Sequence, residues 1–126
     1  MQEGSDLTVV TWGGMVERCE SAAAEVQGSI EIIDLRTLMP WDKDCVLASV
    51  KKTGKALIVH EDNLTGGLGG EISALIAEHA FEYLDAPVRR LAAPDLPAVA
   101  FNDDLEAHFM LSPEKIAAAI CDLAAY

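Results

Sequence analysis

Three short runs, "LTVVTW" (7 to 12), "IEIIDL" (30 to 35) and "ALIVH" (56 to 60), limit the fold more than anything else in the sequence. A strand covered on one face alternates apolar and polar residues. Strands this rich in Val, Ile and Leu need cover on both faces, which is the environment of a parallel sheet between two layers of helices. "VRRLA" (88 to 92) reads as a fourth, more polar strand.

The segments between the strands carry helical spacing. Met15, Val16, Cys19, Ala22, Ala23 and Val26 recur at steps of three and four, and Gly28 stands where a helix would stop. Asp42 can cap a second helix that carries Val46, Leu47 and Val50, with Lys51 and Lys52 in its last turn and Gly54 just beyond. A third helix starts within the glycine stretch and presents Leu68, Ile72, Leu75, Ile76, His79 and Tyr83 on one face; it must stop before Pro87, which pushes Ala86 out of helical geometry. Ser112, Pro113 and Glu114 open a last helix with Ile116, Ile120 and Leu123 as its buried stripe. Strand and helix alternating in this way predict right-handed βαβ units and a three-layer α/β/α sandwich, with a mainly parallel sheet of four to five strands.

At 126 residues and 51% hydrophobic content the chain has the size and composition of one globular core, expected over residues 7–126. Residues 1–6 are polar and read as the remnant of an incomplete element, and the stretch 92–111 has little regular pattern, which marks a functional or interface segment. No apolar run approaches the roughly 20 residues that span a bilayer, and "MQEGSDL" lacks the parts of a signal peptide, so a soluble intracellular protein is expected. Cys19, Cys45 and Cys121 are widely spaced among apolar helical neighbours and read as reduced core thiols. With 21 acidic against 9 basic residues the formal charge is -12, which repels nucleic acid and anionic membrane and favours a cationic partner.

Candidate chemistry is sparse. His60, Glu61 and Asp62 stand at the carboxyl end of a strand, where α/β sheets place ligands, but neighbours on an extended chain point to opposite sides and do not converge on a metal. No nucleophile or second base accompanies His60, so a structural or interface histidine is favoured there. His79 and His108 read as packing or surface residues, and Asp34 with Arg36 as a structural ion pair two residues apart. Asp103, Asp104 and Glu106 form an acidic turn, open to a basic partner. The run Gly66, Gly67, Leu68, Gly69, Gly70 matches neither GxGxxG nor GxxxxGK[ST], and Glu71 already occupies the first turn of the helix. Thr65 is therefore read as a helix cap, and Gly66, Gly67, Gly69 and Gly70 as allowing a tight strand-to-helix turn; an anion- or nucleotide-binding module remains as an alternative.

The segments "VVTWGGMVERCESAAAE", "IEIIDLRTLMPWD", "VKKTGKALIVHEDNLTGGLGGEI", "LDAPVRRLAAPD" and "LSPEKI", in that order and spacing, resemble the C-terminal, transketolase C-terminal-like domain of the beta subunit of thiamine diphosphate-dependent 2-oxo acid dehydrogenases. The resemblance covers Asp6 to Tyr126, and "LTGG" with the final tyrosine look more like the branched-chain than the pyruvate form. It implies a parent enzyme that oxidatively decarboxylates a 2-oxo acid and passes the acyl group to lipoyl groups, in the cytoplasm or the mitochondrial matrix. Thiamine diphosphate with Mg would be held by other domains, with no catalytic, cofactor or metal residue in this one. The implied partners are an alpha subunit, a second beta subunit and the basic subunit-binding domain of the lipoyl acyltransferase. The resemblance assigns docking of that last partner to Asp85, before Ala86 and Pro87, and to Tyr126. It also implies an antiparallel edge strand before "LTVVTW", where only "MQEGS" stands. The C-terminal domain of another thiamine enzyme, transketolase or deoxyxylulose-phosphate synthase, is the alternative within the superfamily.

Overall fold

A computed structural model describes residues 2–96, 102, 105–106 and 109–126. Asp103, Asp104 and His108 lie outside the described residues. The strands β1 (Leu7–Thr11), β2 (Ile30–Asp34), β3 (Ala56–Asn63) and β4 (Arg89–Ala93) form one parallel sheet in the order β2-β1-β3-β4. The helices are α1 (Met15–Glu25), α2 (Lys43–Thr53), α3 (Leu68–Ala80) and α4 (Pro113–Ala124).

The period-two geometry of the strands divides the core in two. Leu7 and Val9 of β1, Ile30 and Ile32 of β2, and Leu57 and Val59 of β3 face α1 and α4, meeting Met15, Cys19, Ile116, Ile120 and Leu123. Val10, Ile33, Ala56 and Ile58 face the opposite way, onto Val46, Val50, Ile72, Ile76 and Ala80 of α2 and α3. The central strand β1 is buried at every position, whereas the edge strand β4 is exposed at Arg89 and Arg90. Thr8 is a polar exception on β1: its hydroxyl bonds Ser49 and Thr53 of α2, each at 2.7 Å, so no buried oxygen there is unpaired.

The capping signals have the expected atoms. Asp42 Oδ1 accepts the Cys45 N–H at 2.9 Å, and Gly54 ends α2 in the left-handed region, φ 71°. Ser112 Oγ accepts the Lys115 N–H at the start of α4, with Pro113 at its first position. Asp42→Ala leaves an α2 donor without its cap and is expected to lower unfolding free energy by about 1 kcal/mol in urea titration.

Two expectations need correction. The third helix ends at Ala80 and tightens into a 3-10 turn over Phe81–Tyr83, so its buried stripe is Gly69, Ile72, Ile76 and Ala80. His79 and Tyr83 fall on the outer side and are exposed instead of packing. Only Cys19 is a core thiol, its pKa pushed up to about 11 by burial; Cys45 is half-buried in the first turn of α2, and Cys121 is exposed beside the α4 stripe. Residues 2–6, read from the sequence as the remnant of an incomplete element, lie against β2. Gln2 and Ile32 exchange backbone hydrogen bonds at 3.2 and 2.9 Å in an antiparallel bridge, and Asp6 accepts the Ser29 N–H, so this segment lies along the outer edge of β2.

Candidate functional site

Two places stand out: the glycine turn after β3, by its residues, and the surface holding Asp85 and Tyr126, by the resemblance. The first is built around His60. Thr11 pairs with Val59 in the parallel register, so the next residues, Trp12 and His60, stand side by side at the carboxyl ends of β1 and β3. Their rings stack at 5.3 Å between centroids and 6° between planes. This is the point where connections leave in opposite directions across the sheet, the usual ligand crevice of such folds. Here the two rings fill it.

The glycines fit around that stack. A Cβ on Gly69 would collide with His60 Nε2, and one on Gly67 would stand 2.8 Å from His60 Cε1 and collide with the Asn63 carbonyl. Gly66 has φ 78°, which side chains rarely adopt. Gly70 only approaches Arg90, with its virtual Cβ 3.4 Å from Nη1. Gly66 therefore makes the turn, and Gly67 and Gly69 let α3 close onto a buried imidazole, leaving no cradle for a phosphate.

Thr65 does not cap α3. The cap position is Gly67, which has no side chain to offer, and Thr65 is turned to Asp95 at the exit of β4. Its N–H donates to Asp95 Oδ1 at 2.9 Å and its hydroxyl to Oδ2 at 2.6 Å. These two bonds hold the Asp95 carboxyl below its ordinary pKa. The ionised Asp95 carboxylate takes both Thr65 donors, so the loop before α3 is clipped to the exit of β4.

His60 is fully buried, and neither ring nitrogen has a hydrogen-bond partner among the described residues. Burial pushes its pKa below the ordinary value, opposed by the charge of Asp62. It is a neutral ring without access to solvent, while Glu61 and Asp62 are exposed and point elsewhere. Among the described residues no three His, Cys, Asp or Glu are grouped to hold a metal ion. After β2, Arg36 donates from Nε to Asp34 Oδ2 at 2.9 Å and from its N–H to Oδ1 at 3.1 Å, with φ 51° at Arg36. The pair clasps the turn at the surface, where such a bond is worth at most about 1 kcal/mol.

The second place is concave. A pocket of about 540 Å³ is lined by Ala77, Phe81, Asp85, Pro87, Val88 and Tyr126, among others. The end of α3 and its 3-10 turn supply one wall, and the end of α4 brings Tyr126 to the other. Phe81 and Tyr126 are 74% and 63% exposed and offer aromatic surface on the walls of the pocket. The Asp85 N–H donates to the Gly54 carbonyl at 2.8 Å, and its carboxylate lies against the Gly54 Cα, where any Cβ would collide with it. Gly54 thus both ends α2 and seats Asp85. Phe81 escaped the sequence reading, although it is signalled there: buried positions at 72, 76 and 80 put residue 81 off the stripe, which leaves a large aromatic facing out.

Eight of the nine basic side chains have a partner within the chain, and Arg89 stands exposed on β4. Arg18, Lys55, Arg90 and Lys115 donate to backbone carbonyls at 2.7 to 3.0 Å. Lys43 and Lys51 lie over the rings of Trp41 and Tyr83, and Arg36 and Lys52 pair with Asp34 and Glu31. With 21 acidic against 9 basic residues the surface potential is negative whatever those partners are.

Known proteins give this arrangement a family. The model of the transketolase C-terminal domain matches residues 1–116. The 2-oxoisovalerate dehydrogenase subunit beta of Bacillus subtilis (strain 168) is 41% identical over 128 residues, covering 99% of this chain and 39% of that protein. Subunit beta 2 of the mitochondrial 2-oxoisovalerate dehydrogenase of Arabidopsis thaliana is 48% identical over 123 residues, 95% of this chain and 34% of that protein. The mitochondrial pyruvate dehydrogenase E1 component subunit beta of Dictyostelium discoideum is 41% identical over 118 residues, 91% and 33% of the two chains. The chain thus spans 33% to 39% of the length of these relatives. Among solved structures, a split gene transketolase in an inactive beta4 tetramer superposes with a TM-score of 0.82 at 24% identity, over 98% of this chain and 40% of that one, a likeness of fold. With the family model running through all four strands and into α4, the chain belongs to the transketolase C-terminal domain family.

Proposed function

We propose that the chain is the assembly domain of the beta subunit of a thiamine diphosphate-dependent 2-oxo acid dehydrogenase. The parent enzyme oxidatively decarboxylates a 2-oxo acid and passes the acyl group to lipoyl groups of an acyltransferase core. The 2-oxoisovalerate names of the first two relatives, with "LTGG", favour a branched-chain substrate over pyruvate. Subunit contacts with an alpha chain and a second beta chain belong to the same role.

The described residues of this chain do not fit thiamine diphosphate or its Mg. The glycine-rich turn after β3 closes on His60, and no carboxylate cluster for a divalent ion stands among the described residues. The cofactor and the chemistry are accordingly assigned to other parts of the parent enzyme, and this domain's work is recognition.

The observation that carries the reading is the pocket shared by Asp85 and Tyr126 on a chain with 21 acidic against 9 basic residues. A basic subunit-binding domain of the lipoyl acyltransferase matches it: an arginine or lysine can meet the Asp85 carboxylate while its stem and neighbours cover Phe81 and Tyr126. Calorimetric titration of the chain with that domain tests this. Binding should weaken steeply with added salt, and Asp85→Asn should weaken it about tenfold, the scale of one desolvated charge contact. Salt-independent binding, or none, would remove the docking role.

A further inference from the structure

Phe81 divides two hollows. On one side lies the pocket of Asp85 and Tyr126; on the other a concavity of about 290 Å³ is lined by Glu78, His79, Glu82 and Tyr83, and Phe81 is a wall of both. Glu78 comes from the last turn of α3 and Glu82 from the 3-10 turn, and both line this hollow. The Glu78 side chain is 76% exposed, with only His79 near it, at 4.0 Å. Each hollow thus combines an aromatic ring with exposed carboxylates, the pairing that attracts an ammonium or guanidinium group.

We infer that this is a two-slot docking surface for a basic protein segment that straddles Phe81, placing one cationic side chain in each hollow and an apolar residue on the ring between them. The inference rests on the docking role proposed above and adds to it a second slot and a central anchor. A second copy of this chain set against this same surface would bring its own carboxylates onto these, so a basic segment is the better occupant. An aromatic ring standing between charged hollows has the usual make-up of an interface hot spot, an apolar centre ringed by polar contacts that exclude water once covered. Lys51 Nζ lies 5.2 Å from the centre of the Tyr83 ring that lines the second slot, so it sets a like charge near an incoming basic side chain.

The test is calorimetric titration of the chain, at several salt concentrations, with the subunit-binding domain of the acyltransferase from the same organism. Phe81→Ala should weaken binding at least about tenfold, as expected for a central aromatic anchor, with no change in circular dichroism because the ring is exposed. Glu78→Gln with Glu82→Gln should weaken it by a similar factor and flatten its salt dependence. Lys51→Gln should tighten it by about threefold by removing the like charge, a gain that misfolding cannot imitate. If Asp85→Asn weakens binding while Phe81→Ala and the paired glutamine variant bind like the unaltered chain, or if Lys51→Gln fails to tighten it, the two-slot surface is wrong and the docking role stands. If the unaltered chain does not bind at all, both fail.

Discussion

Gly69→Ala is expected to destabilise the chain by about 2 kcal/mol, and to become neutral or stabilising once His60 is shortened to alanine. In an ordinary helix interior the substitution would help, since alanine exceeds glycine in helix propensity by about 1 kcal/mol. Gly69 is in α3 and does not have a positive φ, so no backbone strain opposes the change. Space does. The new Cβ would overlap His60 Nε2 and stand 2.6 Å from Cδ2, and the ring cannot retreat because it is fully buried and stacked on Trp12. Overpacking of that kind costs about 3 kcal/mol at the upper end of its range, leaving the stated deficit after the helix gain. His60→Ala alone should destabilise by creating a cavity, but in that background the overlap disappears and only the propensity gain remains. Urea denaturation of the four proteins in the double-mutant cycle measures the coupling. A loop whose glycines served an anion would show no coupling between residues 60 and 69, and additive losses would overturn the reading of the turn as packing.

The glycine turn also shows where sequence reasoning stops. The strands and helices are legible because each is specified locally: apolar runs with no alternation, Asp42 and Ser112 with donors three residues on, Gly54 after a basic last turn. The two cores follow from the period of the strands alone. Thr65 is different. Its spacing before α3 suits a cap, but its partner is Asp95, thirty residues away and reached only when β4 lies beside β3. The fit of Gly67 and Gly69 around His60 is equally nonlocal, because it depends on the register that puts Trp12 beside His60. Spacing tests could reject a nucleotide fingerprint there but could not say what the glycines accommodate. On the docking surface, Asp85 and Tyr126 entered through family resemblance, and no local pattern brings positions so far apart into one pocket. Phe81 between the two hollows was within reach of periodicity, and was lost because the third helix was extended to Tyr83 across a 3-10 turn that changes the facing of every residue after Ala80.

His60 should also make stability fall on mild acidification, before the carboxylates titrate. Burial holds its folded pKa below the ordinary value of 6.5, so between those two values the unfolded chain binds a proton that the folded chain does not. The contribution is thus fully present above pH 6.5 and is lost as pH falls from there toward the folded pKa, at no more than about 1.4 kcal/mol per pH unit for one proton. Asp62 moderates the penalty and Arg90 adds to it, and the positive end of α3 lies against the ring through Gly67 and Gly69. Asp95 and Glu31, whose pKa values are lowered by Thr65 and Lys52, lose their contributions only as pH falls through the carboxylate range. Urea midpoints measured from pH 7.5 to 5.0 should therefore decline, and in His60→Leu the decline over that interval should be largely removed. Replacing a buried polar ring whose nitrogens lack partners by an apolar side chain removes a desolvation cost, so His60→Leu should lose less at pH 5 than at pH 7.5 relative to the unaltered chain. A decline that persists unchanged in His60→Leu would place the proton uptake elsewhere and would mean that the imidazole does reach a partner or solvent when charged.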